Sequence, residues 1–183
     1  MTEVEVKIPV DDLREAERRV RSLGFEPVRP TVFERNTLYD NAAFDLRAGK
    51  KVLRIREVGE RTILTSKAPP IEGGPHKVRE EREVEVSDAR EMHGILATLG
   101  YRPAWRYEKR RTTFRRGEES GVIEIDDTPI GGFLEIEGAP NWIDETAEAL
   151  GFKPVDYSTA SYYTLFLEWR ERTGSDVEHM AFV

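Results

Sequence analysis

Hydrophobic and polar residues alternate with period two through much of the chain. The stretch from Thr2 to Val10 reads TEVEVKIPV, so Glu3, Glu5 and Lys7 share one face of an extended strand and Val4, Val6 and Ile8 share the other. Related patterns recur in TVFERNTLYD, KVLRIREV, RTILTSKAP, HKVREEREVEV, residues 101–116 and GVIEIDD. Rich in β-branched and aromatic residues, these stretches predict further strands. Gly49-Lys50, Gly59, the PPIEGGP run from Pro69 to Pro75, Gly117, Gly121 and Gly131-Gly132 supply turns between them.

A helical period interrupts this pattern. In VDDLREAERRVRSLGF, Leu13, Ala16, Val20 and Leu23 fall on one helical face, Asp12 and Glu15 form a capping pattern, and Gly24 follows the last turn. The unit is repeated in EVEVSDAREMHGILATLGYRPA and LEIEGAPNWIDETAEALGFKPV. Each copy has a strand with alternating glutamates, a polar break, a helix ending in Leu-Gly and a following proline. The copies run from Glu3 to Pro27, Glu83 to Pro103 and Glu135 to Pro154, interleaved with other strands too closely for a solenoid. A last helix is predicted from Thr159 to Arg172, stopped by Gly174. No low-complexity linker divides the chain, so the expectation is one α+β domain over residues 1–174 and a loose tail over 175–183.

Composition narrows the function. A chain of 183 residues can bury a core without staples, and with no cysteine it has no disulfide, Cys-zinc site or thiol nucleophile. No basic-then-apolar leader opens the sequence, and no apolar run approaches the ~18 residues of a membrane span. The expectation is a cytoplasmic protein with no membrane partner. A net charge of −7 argues against general nucleic-acid binding, although 28 Lys and Arg leave room for a local cationic site. His76, His93 and His179 lack metal-ligand spacing and read as surface residues. Trp105, Trp142 and Trp169 read as packing, and no phosphate-binding glycine loop is present.

The charges themselves are ordered. Arg54 and Arg56 share a face, as do Thr65 and Lys67, Lys109 and Arg111, Glu124 and Asp126, and Glu135 and Glu137. Arg79, Glu81, Glu83 and Glu85 form one unbroken row, with Glu85 at its outer end. Amphipathic helices need apolar partners, and Val4-Val6-Ile8, Val84-Val86, Ile123-Ile125 and Leu134-Ile136 supply them. The ionic faces then lie on the other side, either open to water or lining a closed barrel. Their near-total lack of neutral polar residues, and the arginine fork suited to oxyanions, favour a lumen. Seven cations, Lys7, Arg54, Arg56, Lys67, Arg79, Lys109 and Arg111, exceed what a monophosphate can use and point to a triphosphate. The accompanying carboxylates suit Mg²⁺ or Mn²⁺.

The ordered set of ExExK at Glu3, Glu5 and Lys7, LRIR, T-x-K, the RxExE row, K-x-R, an acidic ID, ExE and Ser161-Tyr162 resembles the CYTH superfamily, over roughly Glu3 to Leu167. FERNTLYD, RYEKRRTTF, DDTPIGGFLEIEG and DYSTASYYTL look like its bacterial class IV adenylyl cyclase-like branch. The resemblance implies a closed antiparallel β-barrel of about eight strands, the triphosphate tunnel fold, with helices outside. It also implies a divalent metal and a small-molecule triphosphate such as tripolyphosphate, ATP or thiamine triphosphate. By the same resemblance Glu3, Glu5, Glu135 and Glu137 are metal-side carboxylates, with Glu81, Glu83, Glu124 and Asp126 as further candidates. The seven cations bind phosphates, and Lys7 and Glu5 are the catalytic candidates. Hydrolysis is the first expectation. Class IV cyclisation of ATP to cyclic AMP and pyrophosphate is the alternative, with Phe33, Tyr39, Tyr107 and Phe133 as candidates to stack a base. A non-catalytic polyphosphate- or nucleotide-binding module is the third reading, and the oligomer is a monomer or a homodimer.

Overall fold

The computed structural model describes all 183 residues. Its strands are β1 (Thr2–Val10), β2 (Glu26–Pro27), β3 (Val32–Asp40), β4 (Val52–Val58), β5 (Arg61–Lys67), β6 (Lys77–Val86), β7 (Arg102–Arg115), β8 (Val122–Thr128) and β9 (Gly131–Glu137). The helices are α1 (Leu13–Ser22), α2 (Asp45–Ala48), α3 (Ala89–Thr98), α4 (Pro140–Ala149) and α5 (Tyr162–Thr173). The strands pair in the order β7-β3-β4-β5-β6-β1-β9-β8, and β8 returns to β7. This closes an eight-stranded antiparallel barrel, with β2 a two-residue addition against β7. The closure depends on the length of β7, whose 14 residues pair first with β3 and then, from Arg110 to Phe114, with β8.

The barrel turns its apolar faces outward. Val6 and Ile8 of β1, Ile123 and Ile125 of β8, and Leu134 and Ile136 of β9 are buried beneath Ala16 and Val20 of α1 and Ile143 and Ala147 of α4. Phe25 and Phe114, with no exposed surface, join this cluster. The main hydrophobic core therefore lies between sheet and helices, outside the barrel. The three repeat helices end alike, with Gly24, Gly100 and Gly151 at φ of 82°, 86° and 90°, where a Cβ would be strained. Asp12 caps α1 by accepting from the Arg14 and Glu15 amides, and Asp88 caps α3 through the Glu91 amide.

Several local expectations are revised. Val84 is 55% exposed, because α3 does not cover β6 and packs Leu96 on Tyr39 of β3 and Ile55 of β4 instead. Gly49-Lys50 follows the short helix α2, which the sequence pattern did not predict, rather than forming a two-strand hairpin. The last helix begins at Tyr162, three residues after Thr159, with the Ser161 hydroxyl accepting from the Thr164 amide. Residues 175–183, read as loose, lie partly along β7. Met180 is 1% exposed, its amide donates to the Arg106 carbonyl, and its carbonyl accepts from the Glu108 amide. This stretch of β7 lies beyond the reach of β8, so its backbone groups were free to take another partner. His76 contacts Asp144 at 2.8 Å and His93 contacts the Tyr39 hydroxyl, so both are engaged in packing rather than free at the surface.

Trp142 fixes α4 against the sheet by donating its indole N–H to Glu119 at 2.8 Å and laying its ring over two glycines. A Cβ at Gly121 would stand 2.5 Å from that ring. Gly121→Ala is expected to displace Trp142 and cost about 1–3 kcal/mol, measured by urea unfolding. An unchanged midpoint would show that the close approach is not needed.

Candidate active site

Barrel closure brings the ionic rows together. Glu3, Glu5, Lys7, Arg54, Arg56, Lys67, Arg79, Glu81, Glu83, Lys109, Arg111, Glu124, Glu135 and Glu137 all line one cavity of about 890 Å³. Asp126 is fully buried behind it, and Glu85 lies at the exposed end of β6, paired with Arg61. Three residues absent from the predicted set, Lys77, Glu34 and Tyr162, join the interior, as does Tyr107, expected only as a candidate to stack a base. Lys77 continues the Arg79 row by one period-two step and Glu34 sits in FERNTLYD, so both were within reach of strand periodicity. Tyr162 comes from α5, and no strand pattern could have placed it.

Each wall has its own pairing. Glu3 accepts from Lys67 at 2.7 Å and Arg79 at 3.3 Å; Glu5 accepts from Lys7 at 3.0 Å and Lys77 at 2.8 Å. Lys7 also reaches Glu135 at 3.4 Å, and Arg111 reaches the other oxygen of Glu135 at 2.9 Å. Glu81 lies 2.8 Å from Lys67, whereas Glu83 lies 3.3 Å from Arg54 and 3.7 Å from Arg56. Glu124 pairs with Arg111. The lumen is thus a lattice of opposite charges, as the low dielectric of a closed barrel requires.

Asp126 is the most saturated acid in this lattice. Its oxygens accept from Arg111 Nε at 2.6 Å and Nη2 at 2.5 Å, from Lys109 at 3.0 Å and from the Tyr162 hydroxyl at 2.6 Å. It holds two cations in place and ties α5 to the barrel. Backbone pairing supports the same connection, since Lys7 and Ser158 exchange hydrogen bonds of 3.0 and 2.7 Å on the part of β1 that β6 does not reach.

Glu137 stands apart, with no Lys or Arg among its ion-pair partners although it lines the cavity. Burial, reinforced by the charges of Glu124, Glu3 and Glu5, pushes its pKa up to about 7. Burial also opposes ionisation of Glu34, but Lys109, Arg111, Arg56 and Arg54 outweigh it and draw the acid down to about 2. Glu5 and Glu135 are likewise held below the usual carboxylate range, the first by Lys7 and Lys77 and the second by Arg111, Lys7 and Lys109, in each case against burial. Lys77 is lowered to about 8 by burial and then by the Lys7 charge, with Glu5 opposing. Lys7 is raised because Glu135 and Glu5 outweigh its burial.

These residues can grip a polyanion through their cations. A group of three or more acids or histidines converged as around a metal ion is not formed, because the acids are turned toward Lys and Arg. An all-oxygen donor set that includes an unpaired carboxylate still suits Mg²⁺ or Mn²⁺, which bind through one or two carboxylates plus substrate oxygens. Of the aromatic candidates for stacking, Phe33 packs on Phe182, Tyr39 lies against His93 and Phe133 lies against Tyr162. Tyr107 points into the barrel beside Arg54.

The chain resembles known proteins along most of its length. The model of the CYTH domain family matches residues 1–162. A Methanocaldococcus jannaschii protein named as a candidate adenylate cyclase is 30% identical over 151 residues, covering 82% of this chain and 84% of that protein. The solved structure of a Vibrio parahaemolyticus protein, also named as a candidate adenylate cyclase, superposes with a TM-score of 0.79 at 19% identity, covering 91% of this chain and 98% of that one. A Hippeastrum candidate adenylyl cyclase, described as revealing a dominant triphosphatase activity, gives a TM-score of 0.67 at 19% identity and covers 96% and 97% of the two chains. With its barrel and its ordered ionic rows, the chain belongs to the CYTH domain family.

Proposed function

We propose that this CYTH protein hydrolyses the terminal phosphoanhydride of a small-molecule triphosphate, either tripolyphosphate or an organic or nucleoside triphosphate, with the help of Mg²⁺ or Mn²⁺. The observation that carries the reading is the lumen itself. Lys7, Arg54, Arg56, Lys67, Arg79, Lys109 and Arg111 reach one cavity from different strands, so successive phosphates can be held along a path by charge-assisted hydrogen bonds. Lys7 remains protonated between Glu5 and Glu135, which makes it a fixed positive charge rather than a base. Glu5 remains ionised and can orient a water toward the terminal phosphorus. Glu137, Glu135, Glu5 and Glu3 are the residues to hold the metal, with Glu81, Glu83 and Glu124 available beside them. Bound there, the ion would neutralise charge developing on the phosphoryl oxygens during an in-line displacement. Asp126, with its oxygens already engaged, orients Lys109 and Arg111 instead.

Cyclisation of ATP is the second reading, favoured by the naming of the Methanocaldococcus jannaschii relative as a candidate adenylate cyclase. Hydrolysis needs only water in line, whereas cyclisation also needs a seat for the nucleoside, and of the four aromatic candidates only Tyr39 and Tyr107 line the cavity. The Hippeastrum protein, with its triphosphatase activity, supports the hydrolytic reading by analogy of fold.

Phosphorus NMR of purified protein with Mg²⁺ or Mn²⁺, offered tripolyphosphate, ATP and thiamine triphosphate separately, distinguishes the two. Orthophosphate without cyclic AMP is expected; cyclic AMP with pyrophosphate from ATP would establish the cyclase instead. Glu5→Gln is expected to lower turnover at least ~100-fold while circular dichroism remains native, since the amide keeps the volume and an acceptor for Lys7 and Lys77. Turnover like that of the wild type would remove Glu5 from the chemistry.

Glu137 gives a pH-dependent test. Its native pKa of about 7 lies above the ordinary 4.5, so the folded protein holds an extra proton between these values and loses stability as pH rises through that window. In chelator, Glu137→Gln is expected to match the wild type at about pH 4 and to be more stable by about 2 kcal/mol at about pH 8, read from urea unfolding. Equal stabilities at both would mean that the carboxylate has found a cation.

A further inference from the structure

Tyr107 lines the cavity, yet it belongs to neither the cationic nor the acidic rows. It sits on the lumen side of β7, two residues before Lys109, and opposite Asn36 of β3. Its ring is pinned, stacked on Trp105 at a centroid distance of 5.2 Å and 23° and lying 5.8 Å from Tyr162. The phenolic oxygen accepts from Arg54 Nη1 at 2.9 Å. Its own proton has no acceptor in the protein. Tyr162 differs, since its hydroxyl already donates to Asp126.

Unmet hydrogen-bonding capacity collects around this hydroxyl. Arg54 and Arg56, which line the cavity, each leave Nε without a hydrogen bond, and both polar atoms of the buried Asn36 amide, opposite Tyr107 on β3, also lack one. Buried polar groups are normally paired, so the two guanidinium groups leave donors on the cavity side for a polar ligand. A donor hydroxyl among fixed cations matches a phosphate oxygen.

We propose that Tyr107 is a further catalytic residue of the tunnel, giving its hydroxyl proton to the bridging oxygen of the leaving group as a bound triphosphate is cleaved. The proposal rests on the hydrolytic reading above. Water forms the new bond to the terminal phosphorus, the bridging P–O bond breaks, and its electron pair goes to the leaving diphosphate, which takes the Tyr107 proton. Arg54 stabilises the phenolate until the proton released by the attacking water returns to it through solvent. One water is consumed and the enzyme is restored.

The surroundings suit this role. Burial opposes ionisation of the phenol, but Arg54, Lys109 and Arg56 outweigh it and bring the pKa below the ordinary 10. Other titratable and charged groups near the ring are Glu34 on β3, Tyr162 on α5, Glu81 and Glu83 of β6 on the far side of Arg54, and Arg106, Glu108 and His179 at the outer groove. An acid lowered toward the working pH transfers its proton more readily than an unperturbed tyrosine.

The test uses the full chain with Mg²⁺ and compares wild type, Tyr107→Phe and a protein carrying trifluorotyrosine at position 107, on tripolyphosphate and ATP over a range of pH. Phenylalanine should lower kcat about 100-fold and leave KM within about twofold, with native circular dichroism. Trifluorotyrosine should retain turnover but move the alkaline limb of the pH profile to lower pH. A raised KM with unchanged kcat, or an alkaline limb that ignores fluorination, would overturn the proposal by making Tyr107 a binding group. If the wild type cleaves neither of these nor thiamine triphosphate, the hydrolytic reading fails and takes this one with it. Wild-type turnover with Tyr107→Phe unaffected removes Tyr107 alone.

Discussion

The structure depends on charge neutralisation inside a closed space. A barrel whose lumen carries Lys and Arg at full charge is tolerable only if carboxylates meet them, because an unpaired buried ion costs several kcal/mol. Lys7, Arg111 and Lys67 each lie between two or more acids, and Glu5 and Asp126 each hold two cations. Such pairs add little net stability over well-packed apolar side chains, and removing one partner is strongly destabilising. The lumen is therefore a site maintained at some expense to the fold.

Stability has to come from elsewhere, and the outer layer provides it. Because strand side chains alternate, every ionic residue sent into the lumen leaves its neighbour facing out, and the apolar neighbours of β1, β8 and β9 form the floor on which α1 and α4 pack. The same alternation that builds the site thus builds the core. Where helices do not reach, as over Val84, the outer face remains exposed. The C-terminal segment serves a related purpose by pairing with the part of β7 left bare by β8 and burying Met180 against Trp105, Tyr107 and Phe166.

This economy explains what could be read in advance. Period two alone places Glu3, Glu5, Lys7, Arg54, Arg56, Lys109 and Arg111 on shared faces, and closure of the barrel carries those faces inward. The Leu-Gly endings likewise locate α1, α3 and α4 because a left-handed glycine is a local requirement. What periodicity cannot give is the partner of each charge, which depends on register between strands distant in sequence, as between Glu3 and Lys67. Nor can it give Tyr162, α2 or the docking of Met180, where tertiary contacts decide the geometry. Asp126 shows the difference: its place in an acidic strand resembles that of Glu124, but complete burial among Arg111, Lys109 and Tyr162 makes it an organiser of cations.

The paired lumen also constrains how a ligand can enter. A triphosphate that takes Lys7 would compete with Glu5 and Glu135 for it, and one that takes Lys67 would compete with Glu3 and Glu81. The displaced carboxylates would then be buried beside a polyanion, with Glu137 already unpaired among them. Left so, the loss would cancel much of the gain from the new phosphate contacts. On the proposed reading, a divalent cation entering with the substrate would give those carboxylates a new partner, and the two ligands would then each raise the affinity of the tunnel for the other. The acids that balance the lumen cations and the acids available to a metal would then be the same groups, used in turn.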